Sequence, residues 1–475
     1  MMRLLSLIMI LFLSQSVLSY TQKTFVDQLL SSHEFFEKEM INLKIKKIEM
    51  IGDQDNYQNW DWDIGAEFGR IHKNKLKYDY TSSTDYAQNT TQQVRKISSD
   101  LSKKFFSNGS ELKLSFDRSL PIKDEGMYDK NGYQLDKNTS EYLDDLSVSW
   151  TLPLLKNKEG VIDQKTYDLS VIDYEDEKLV LAEVQEDFIE DKLLEFIDWV
   201  AFKWQMEVVS KTIKNLIIAQ EKAVNSHFRD SDILIRSIDK NRRLLLGLTS
   251  KLKAQSGLLL DSVSSLNFDK NPPILSPNFN ISFVNNLEYF SQKNVRDLKR
   301  INLEMQKNGR YIKTYQNSQM PDLDFTLSAA QDDNKGNYTS YSKSAETKYE
   351  AKLVFSYPLS GDISNQVYLD KYRLKTIQIE LKYDNELRDI LSESRKITTD
   401  IEQGLTQLSL IKKQLLTIEP SRELDLYLVK QENVRFVIFE QDDFQELQLE
   451  RIDILIELYK NKLKYDSLLD RLLPN

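Results

Sequence analysis

The residues of this chain that could do acid–base, nucleophilic or metal chemistry are scattered. Its three histidines, His33, His72 and His227, lie far apart, and no His-Glu-x-x-His pattern sets two of them on one helix face. Cysteine is absent, so neither a thiolate nucleophile nor a disulfide is available. The glycines are isolated, which leaves no loop whose consecutive backbone amides could cradle a phosphate. Asp53-Gln54-Asp55-Asn56 begins like a calcium loop, but Gln58 stands where that loop needs glycine. With 74 acidic residues, carboxylate pairs are inevitable and identify no acid/base couple. The sequence therefore predicts no catalytic residue, no cofactor and no metal site, and a protein that is not an enzyme. A net charge of −10 also argues against a nucleic-acid partner, which would call for a basic patch.

The information lies in the elements instead. A phrase occurs twice: Leu146-Ser147-Val148-Ser149-Trp150-Thr151-Leu152-Pro153-Leu154, and later Leu353-Val354-Phe355-Ser356-Tyr357-Pro358-Leu359. Each copy is an alternating run that ends at a proline and is followed by a long proline-poor stretch. Pro153 and Pro358 are about 200 residues apart, so the chain reads as two copies of one unit. The other prolines, Pro420 apart, also mark boundaries: Pro121, the Pro272/Pro273/Pro277 cluster, Pro321 and Pro474. Proline within a helix costs about 3 kcal/mol. The stretches Leu154 to Asn271 and Leu359 to Glu419 lack it and can form long helices.

Those stretches carry a heptad seam. Leu193, Ile197, Val200, Trp204 and Val208 recur at spacings of four and three, as do Tyr383, Leu387, Ile390, Ser394, Ile397 and Ile401. This is helix-on-helix packing of the coiled-coil kind, interrupted only at Ser394. Ile452, Leu455, Tyr459 and Leu463 continue it. A helix of some 60 residues is about 90 Å long. A helix is also expected over Thr24 to Ile51, and another around Asn278 to Gln316.

Between the helices the period changes to two. Trp60, Trp62, Ile64, Ala66 and Phe68 alternate with Asp61, Asp63, Gly65, Glu67 and Gly69. Trp60 to Tyr80, Ile97 to Phe106, Ser110 to Ser119 and Leu143 to Pro153 are four candidate strands in the first half, with a hairpin turn at Asn108-Gly109. Asp322 to Ala329 and Ala351 to Tyr357 are two more. The alternation fits either an ordinary sheet packed on helices or a membrane-barrel wall. At the N-terminus, Arg3, the apolar run Leu4 to Leu13, and small side chains at Val17 and Ser19 have the layout of a secretory signal peptide over residues 1–19. The two repeats then run over 20–271 and 272–475.

The order signal, helix, strands, long hairpin, then the same again, resembles the TolC-like outer-membrane efflux protein family. Trp150-Thr151-Leu152-Pro153-Leu154-Leu155 is similar to the family's strand end, and Tyr357-Pro358-Leu359 with Gly361 to its second copy. Met320-Pro321-Asp322-Leu323 is similar to the opening of the second-unit strand, and Pro420 to a proline ahead of the second hairpin tip. The resemblance implies an α+β membrane protein: a trimeric outer-membrane β-barrel continued by a long periplasmic α-helical coiled-coil barrel. It implies a homotrimer in the outer membrane of a Gram-negative bacterium, in contact with outer-membrane lipid. Its partners would be a periplasmic adaptor (a membrane fusion protein) and an inner-membrane transporter, in a tripartite efflux pump or type I secretion system. The hairpin tips, and so adaptor docking, would fall at Asp232, Ile233 and Leu234 and at Val434 and Arg435, where Val434 replaces an expected glycine. Glu440 and Asp443 fall where the family's periplasmic gate carries acidic residues, and Pro153 and Pro358 mark strand-to-helix junctions. The family supplies four strands per protomer; the additional pair here either extends the barrel or forms a surface hairpin. The alternative function is a periplasmic coiled-coil adaptor or scaffold without a channel.

Overall fold

A computed structural model of the protein describes residues 25–26, 29–30, 35–79, 84–119, 141–225, 231–262, 281, 283–336, 345–357, 363–417 and 434–473. The signal segment, the proline cluster at Pro272 to Pro277, Pro358 and Pro420 lie outside them. Contacts divide the chain into two units. One comprises Met1–Leu43, Asp176–Asn302 and Leu381–Asn475; the other comprises Lys44–Glu175 and Leu303–Glu380. Each draws on both halves of the sequence.

The second of these units contains a six-stranded sheet: β1 (Asp61–Asp79), β2 (Thr84–Phe105), β3 (Ser110–Ser119), β4 (Glu141–Pro153), β5 (Asp322–Gly336) and β6 (Ala345–Ser356). The strands lie in chain order and every neighbouring pair is antiparallel. The register puts the alternating residues of all six strands in step. One row across the sheet reads Trp62, Leu101, Leu114, Val148, Ala329 and Tyr349. The row beside it, on the opposite face, reads Asp61, Ser102, Lys113, Ser149, Ser328 and Glu350.

The tight turn between β2 and β3 is where the Asn108-Gly109 pair places it. The Gly109 amide donates to the Phe105 carbonyl at 2.8 Å, and Asn108 Oδ1 accepts from the Ser110 amide at 3.0 Å. Gly109 has φ +69°, and a Cβ there would lie 2.5 Å from the Asn157 carbonyl oxygen. Both facts call for glycine.

Three strands are longer than their alternation suggests; β5 runs on past Ala329 to Gly336, paired with both β4 and β6. β2 starts at Thr84, not Ile97, because the polar stretch before Ile97 pairs with the distal half of β1, from Gly69↔Val94 out to Asp79↔Thr84. β6 starts at Ala345 and stops at Ser356, ahead of Pro358, which has no amide to give to a ladder.

The helices are α1 (Phe35–Gln58), α2 (Lys165–Asn225), α3 (Ser231–Ser262), α4 (Leu287–Asn294), α5 (Arg296–Ser318), α6 (Ile363–Thr417) and α7 (Val434–Leu468). α1 continues past Ile51 because nothing between Gly52 and Gln58 stops it; the Asp53–Asn56 stretch is a helix turn, not a metal loop. α2 holds 61 residues and α6 holds 55, as the missing prolines allow. Among the described residues no helix is long and apolar enough to cross a membrane.

The helical unit is cored by the predicted seams. Leu193, Ile197 and Val200 of α2 are buried with Ile452, Ile456, Tyr459 and Leu463 of α7. Phe196 stacks on Phe25 at 5.0 Å between ring centroids. Ile390, Ile397 and Ile401 of α6 are buried with Leu455 and Leu458 of α7, while Tyr383 and Leu387 pack on the edge. Ser394 sits in that seam 1 % exposed, and its Oγ has no hydrogen-bond partner among the described residues.

Candidate functional site

The sheet offers the first site. On one face the side chains are apolar and exposed: Trp62, Ile64 and Phe68 of β1 are 65 %, 67 % and 72 % exposed, and Leu353 and Phe355 of β6 are 63 % and 64 % exposed. Leu112, Leu114, Phe116, Leu146, Val148, Trp150, Phe325 and Leu327 lie on the same face by register. On the β2 part of that face, Ser99 Oγ accepts the Trp62 indole N–H at 2.8 Å. A bidentate pair from Arg118 Nε and Nη2 to the Asp144 carboxylate, at 2.8 and 3.0 Å, bounds the apolar band on the side away from the β2–β3 turn.

The opposite face is charged. Lys96 pairs with Asp117 at 2.9 Å, Lys113 with Asp100 at 3.4 Å, and Lys348 with Asp332 at 3.0 Å. Exposed apolar side chains in water cost free energy in proportion to their area, so a sheet with this division is built to meet an apolar medium on one side and water on the other. β3, at 10 residues, has the length of a tilted membrane-spanning strand.

The second site is the junction where β4 hands over to α2. Pro153 closes β4 and is buried. The chain then runs on past the start of β5 in the same antiparallel register: the Leu154 amide donates to the Leu323 carbonyl at 2.8 Å, and the Lys156 amide to the Pro321 carbonyl at 3.3 Å. Asn157 is the centre of the turn, at φ +61°. Its amide donates to Asn317 Oδ1 at 2.6 Å, its Oδ1 accepts from the Ile162 amide at 2.9 Å, and its Nδ2 donates to Asp163 at 2.6 Å. Arg310 Nη2 reaches the Val161 carbonyl at 2.9 Å. Asparagine tolerates this left-handed conformation better than other side chains. That preference was the one sequence signal for Asn157, which the proline-centred reading passed over. The second expected junction residue, Pro358, lies outside the described residues.

Close to this junction, α5 and α6 are locked by aromatic stacking. Tyr311 lies on Tyr372 at 4.6 Å, Tyr315 on Tyr368 at 5.3 Å, and Lys165 Nζ sits 5.0 Å above the Tyr311 ring. Burial pushes the Tyr315 and Tyr372 phenols up.

The third site is at the ends of the helices. Leu234, near the start of α3, and Val434, the first residue of α7, join one buried cluster with Leu216, Ala219, Ala223 and Val437. The two expected tip phrases are thus brought together, but by their apolar members packing inward. Asp232 and Arg435 stay exposed, and Ile233 is half-buried. Glu440 and Asp443 are both half-buried, three residues apart on α7 and so on neighbouring positions of one face. Asp442 pairs with Lys240 of α3 at 3.3 Å. Between them Gln441 is 1 % exposed and accepts from Asn215 Nδ2 at 3.3 Å.

A buried ionic knot in the helical unit was not visible in the sequence either. Arg296 Nη1 bonds the Glu186 carboxylate and reaches Asp470 Oδ1 at 3.1 Å, while the Leu472 amide donates to Glu186 Oε1 at 2.9 Å. Burial raises the Glu186 and Asp470 carboxyls above the usual range, against the pull of Arg296. Its partners are too distant in sequence to suggest one another.

No protein-family model matches the chain, and no curated protein matches it by sequence. Solved structures do. The outer-membrane channel OprN is similar with a TM-score of 0.58 at 10 % identity, over 94 % of this chain and 89 % of that one. The open state of the MtrE outer-membrane channel of Neisseria gonorrhoeae matches with a TM-score of 0.56 at 10 % identity, over 94 % and 88 %. The outer-membrane protein VceC of Vibrio cholerae matches with a TM-score of 0.56 at 10 % identity, over 94 % and 96 %. At these identities the likeness is one of fold, and it runs through nearly the whole of each chain.

Proposed function

We propose, from a fold shared with the TolC-like outer-membrane channels, that this protein is an outer-membrane exit duct that works as a homotrimer. The observation that carries the proposal is the sheet. Its exposed apolar face suits lipid, its charged face suits a water-filled lumen, and its two edges, β1 and β6, have no strand partner among the described residues. Open edges do not persist in hydrocarbon, where each unsatisfied backbone group costs several kcal/mol. Copies of the same sheet would close them. The seamed helices α2, α6 and α7 would continue the wall through the periplasm. The protein would contribute a path and a gate, while an inner-membrane transporter and a periplasmic adaptor select the cargo.

The helix ends supply the gate in this reading. Three-fold assembly would turn Glu440 and Asp443 each into a ring of three carboxylates, and acidic rings attract cations and narrow a pore for anions. Asp232 and Arg435, exposed beside the buried Leu234 and Val434, would face the adaptor, with Ile233 beside them. Membrane fractionation and planar-bilayer recording test the duct. A trimer in the outer membrane with discrete conductance steps is expected; a soluble monomer in the periplasmic fraction would overturn it. Replacing Glu440 and Asp443 together with alanine is expected to raise single-channel conductance or weaken cation block, and unchanged currents would remove them from the gate.

A further inference from the structure

All six strands, and not only β3 to β6, carry the membrane-wall pattern. The apolar face continues onto the first hairpin: Trp62, Ile64, Ala66 and Phe68 of β1 and Ile97 and Leu101 of β2 stand in register with the apolar residues of β3, with Ser99 between them covered by its bond to the Trp62 indole. The charged face continues as well, through Asp61, Asp63 and Glu67 of β1 and through the Lys96–Asp117 and Lys113–Asp100 pairs that bridge β2 to β3. The β2–β3 ladder runs the whole length of β3, from Phe105↔Ser110 to Lys96↔Ser119. If the first hairpin were a surface flap, this ladder and both ion pairs would be lost. The row Trp62, Ile64 and Phe68 would then face water.

We infer that the first hairpin is part of the barrel, so that the outer edge of β1 pairs with the outer edge of β6 in a second copy of this chain. This rests on the trimeric channel proposed above. Six alternating strands leave β1 and β6 running in opposite directions, so the contact between copies is antiparallel like every other pair in the wall. On the lumen face β1 carries Asp61, Asp63 and Glu67, and β6 alternates Glu346, Lys348, Glu350 and Lys352, so the β1 carboxylates meet lysines in reach on the partner edge. Three copies make a barrel of eighteen strands. Barrel diameter grows roughly linearly with strand number, so it is about one and a half times as wide as one built from four strands per copy. Barrels of 16–18 strands leave an aqueous channel. The wider bore extends the range of cargo to folded or bulky solutes.

Cysteine cross-linking in the intact outer membrane tests the edge, and the chain has no cysteine of its own to interfere. Ile64→Cys on β1 is combined in turn with Tyr349→Cys, Ala351→Cys and Leu353→Cys on β6. A parallel set puts Phe116→Cys on β3 with the same three. After oxidation, one of the β1–β6 combinations is expected to give linked dimers and trimers on a non-reducing gel, with the β3 set and each single variant remaining monomeric. Linked oligomers from the β3 set would overturn the inference, since β3 then forms the edge and the first hairpin stands outside the wall; the channel proposal would survive. Monomers from both sets would overturn the shared barrel itself.

Discussion

The sheet and the helical core of this protein treat the same side chains in opposite ways. In the helical unit Leu193, Phe196 and Val200 are buried, and the charges buried with them, Arg296 and Glu186, are paired. In the sheet Trp62, Phe68 and Leu353 are outward and exposed, while the lysine–aspartate pairs lie on the other face. One chain thus obeys two rules of burial. The difference teaches that, in the duct proposed above, its parts would serve two solvents: the helices hide apolar area from water, and the sheet would offer it to hydrocarbon. Within the helices stability comes from packing density; in the sheet it comes from satisfying every backbone group.

The sharpest way to break this contrast is to remove one side chain from the helical core. Phe196→Ala is expected to cost about 3–5 kcal/mol, read as a lowered thermal midpoint of the helical signal, with the sheet left in place. Next is a pair of adjacent changes on opposite faces of β4. Val148→Arg puts a charge on the apolar face and is expected to cost about 2–4 kcal/mol in a urea titration in vesicles. Ser147→Arg, one residue away on the polar face, is expected to leave the titration nearly unchanged. Equal effects from the two would abolish the distinction between faces.

Smaller in size is a change that makes the helical core more like itself. Ser394→Ala removes the unpartnered hydroxyl from the α6–α7 seam and is expected to raise stability by about 1 kcal/mol. The smallest effect is in pH. Glu186 and Asp470 are raised by burial, so the folded state holds their protons more tightly than the unfolded chain does. Their contribution is full below the ordinary carboxylate range and is lost as pH rises through the folded values. The thermal midpoint of the helical unit is therefore expected to rise modestly as pH is lowered from neutrality toward 5, and a fall would show that the pull of Arg296 outweighs burial.

The parts of this architecture legible in the sequence are those set by a local period. Trp60 to Gly69 announces β1 because every second residue is apolar, and Leu193 to Val208 announces a seam because its spacing is that of a coiled coil. The start of β2 was not legible, because Thr84 to Val94 is polar on both faces and is a strand only through its partner. Asn157 and Arg296 were hidden for a related reason: Asn157 meets Asn317 and Arg296 meets Glu186, more than a hundred residues apart in each case. The apolar character of Leu234 and Val434 was visible, but that they would pack inward in one cluster depends on where α2 and α7 bring them.

The order of the strands also bears on how the molecule comes into being. Thr151 of β4 and Thr326 of β5, whose hydroxyls lie 3.4 Å apart, are 175 residues apart in the chain. Pairings this distant form slowly, because the intervening chain must be brought to order before the contact is rewarded. As the polypeptide emerges N-terminus first, four strands with an apolar face exist before their neighbour β5 has arrived. During that interval β4 stands as an open strand edge, the kind of edge that pairs with other chains.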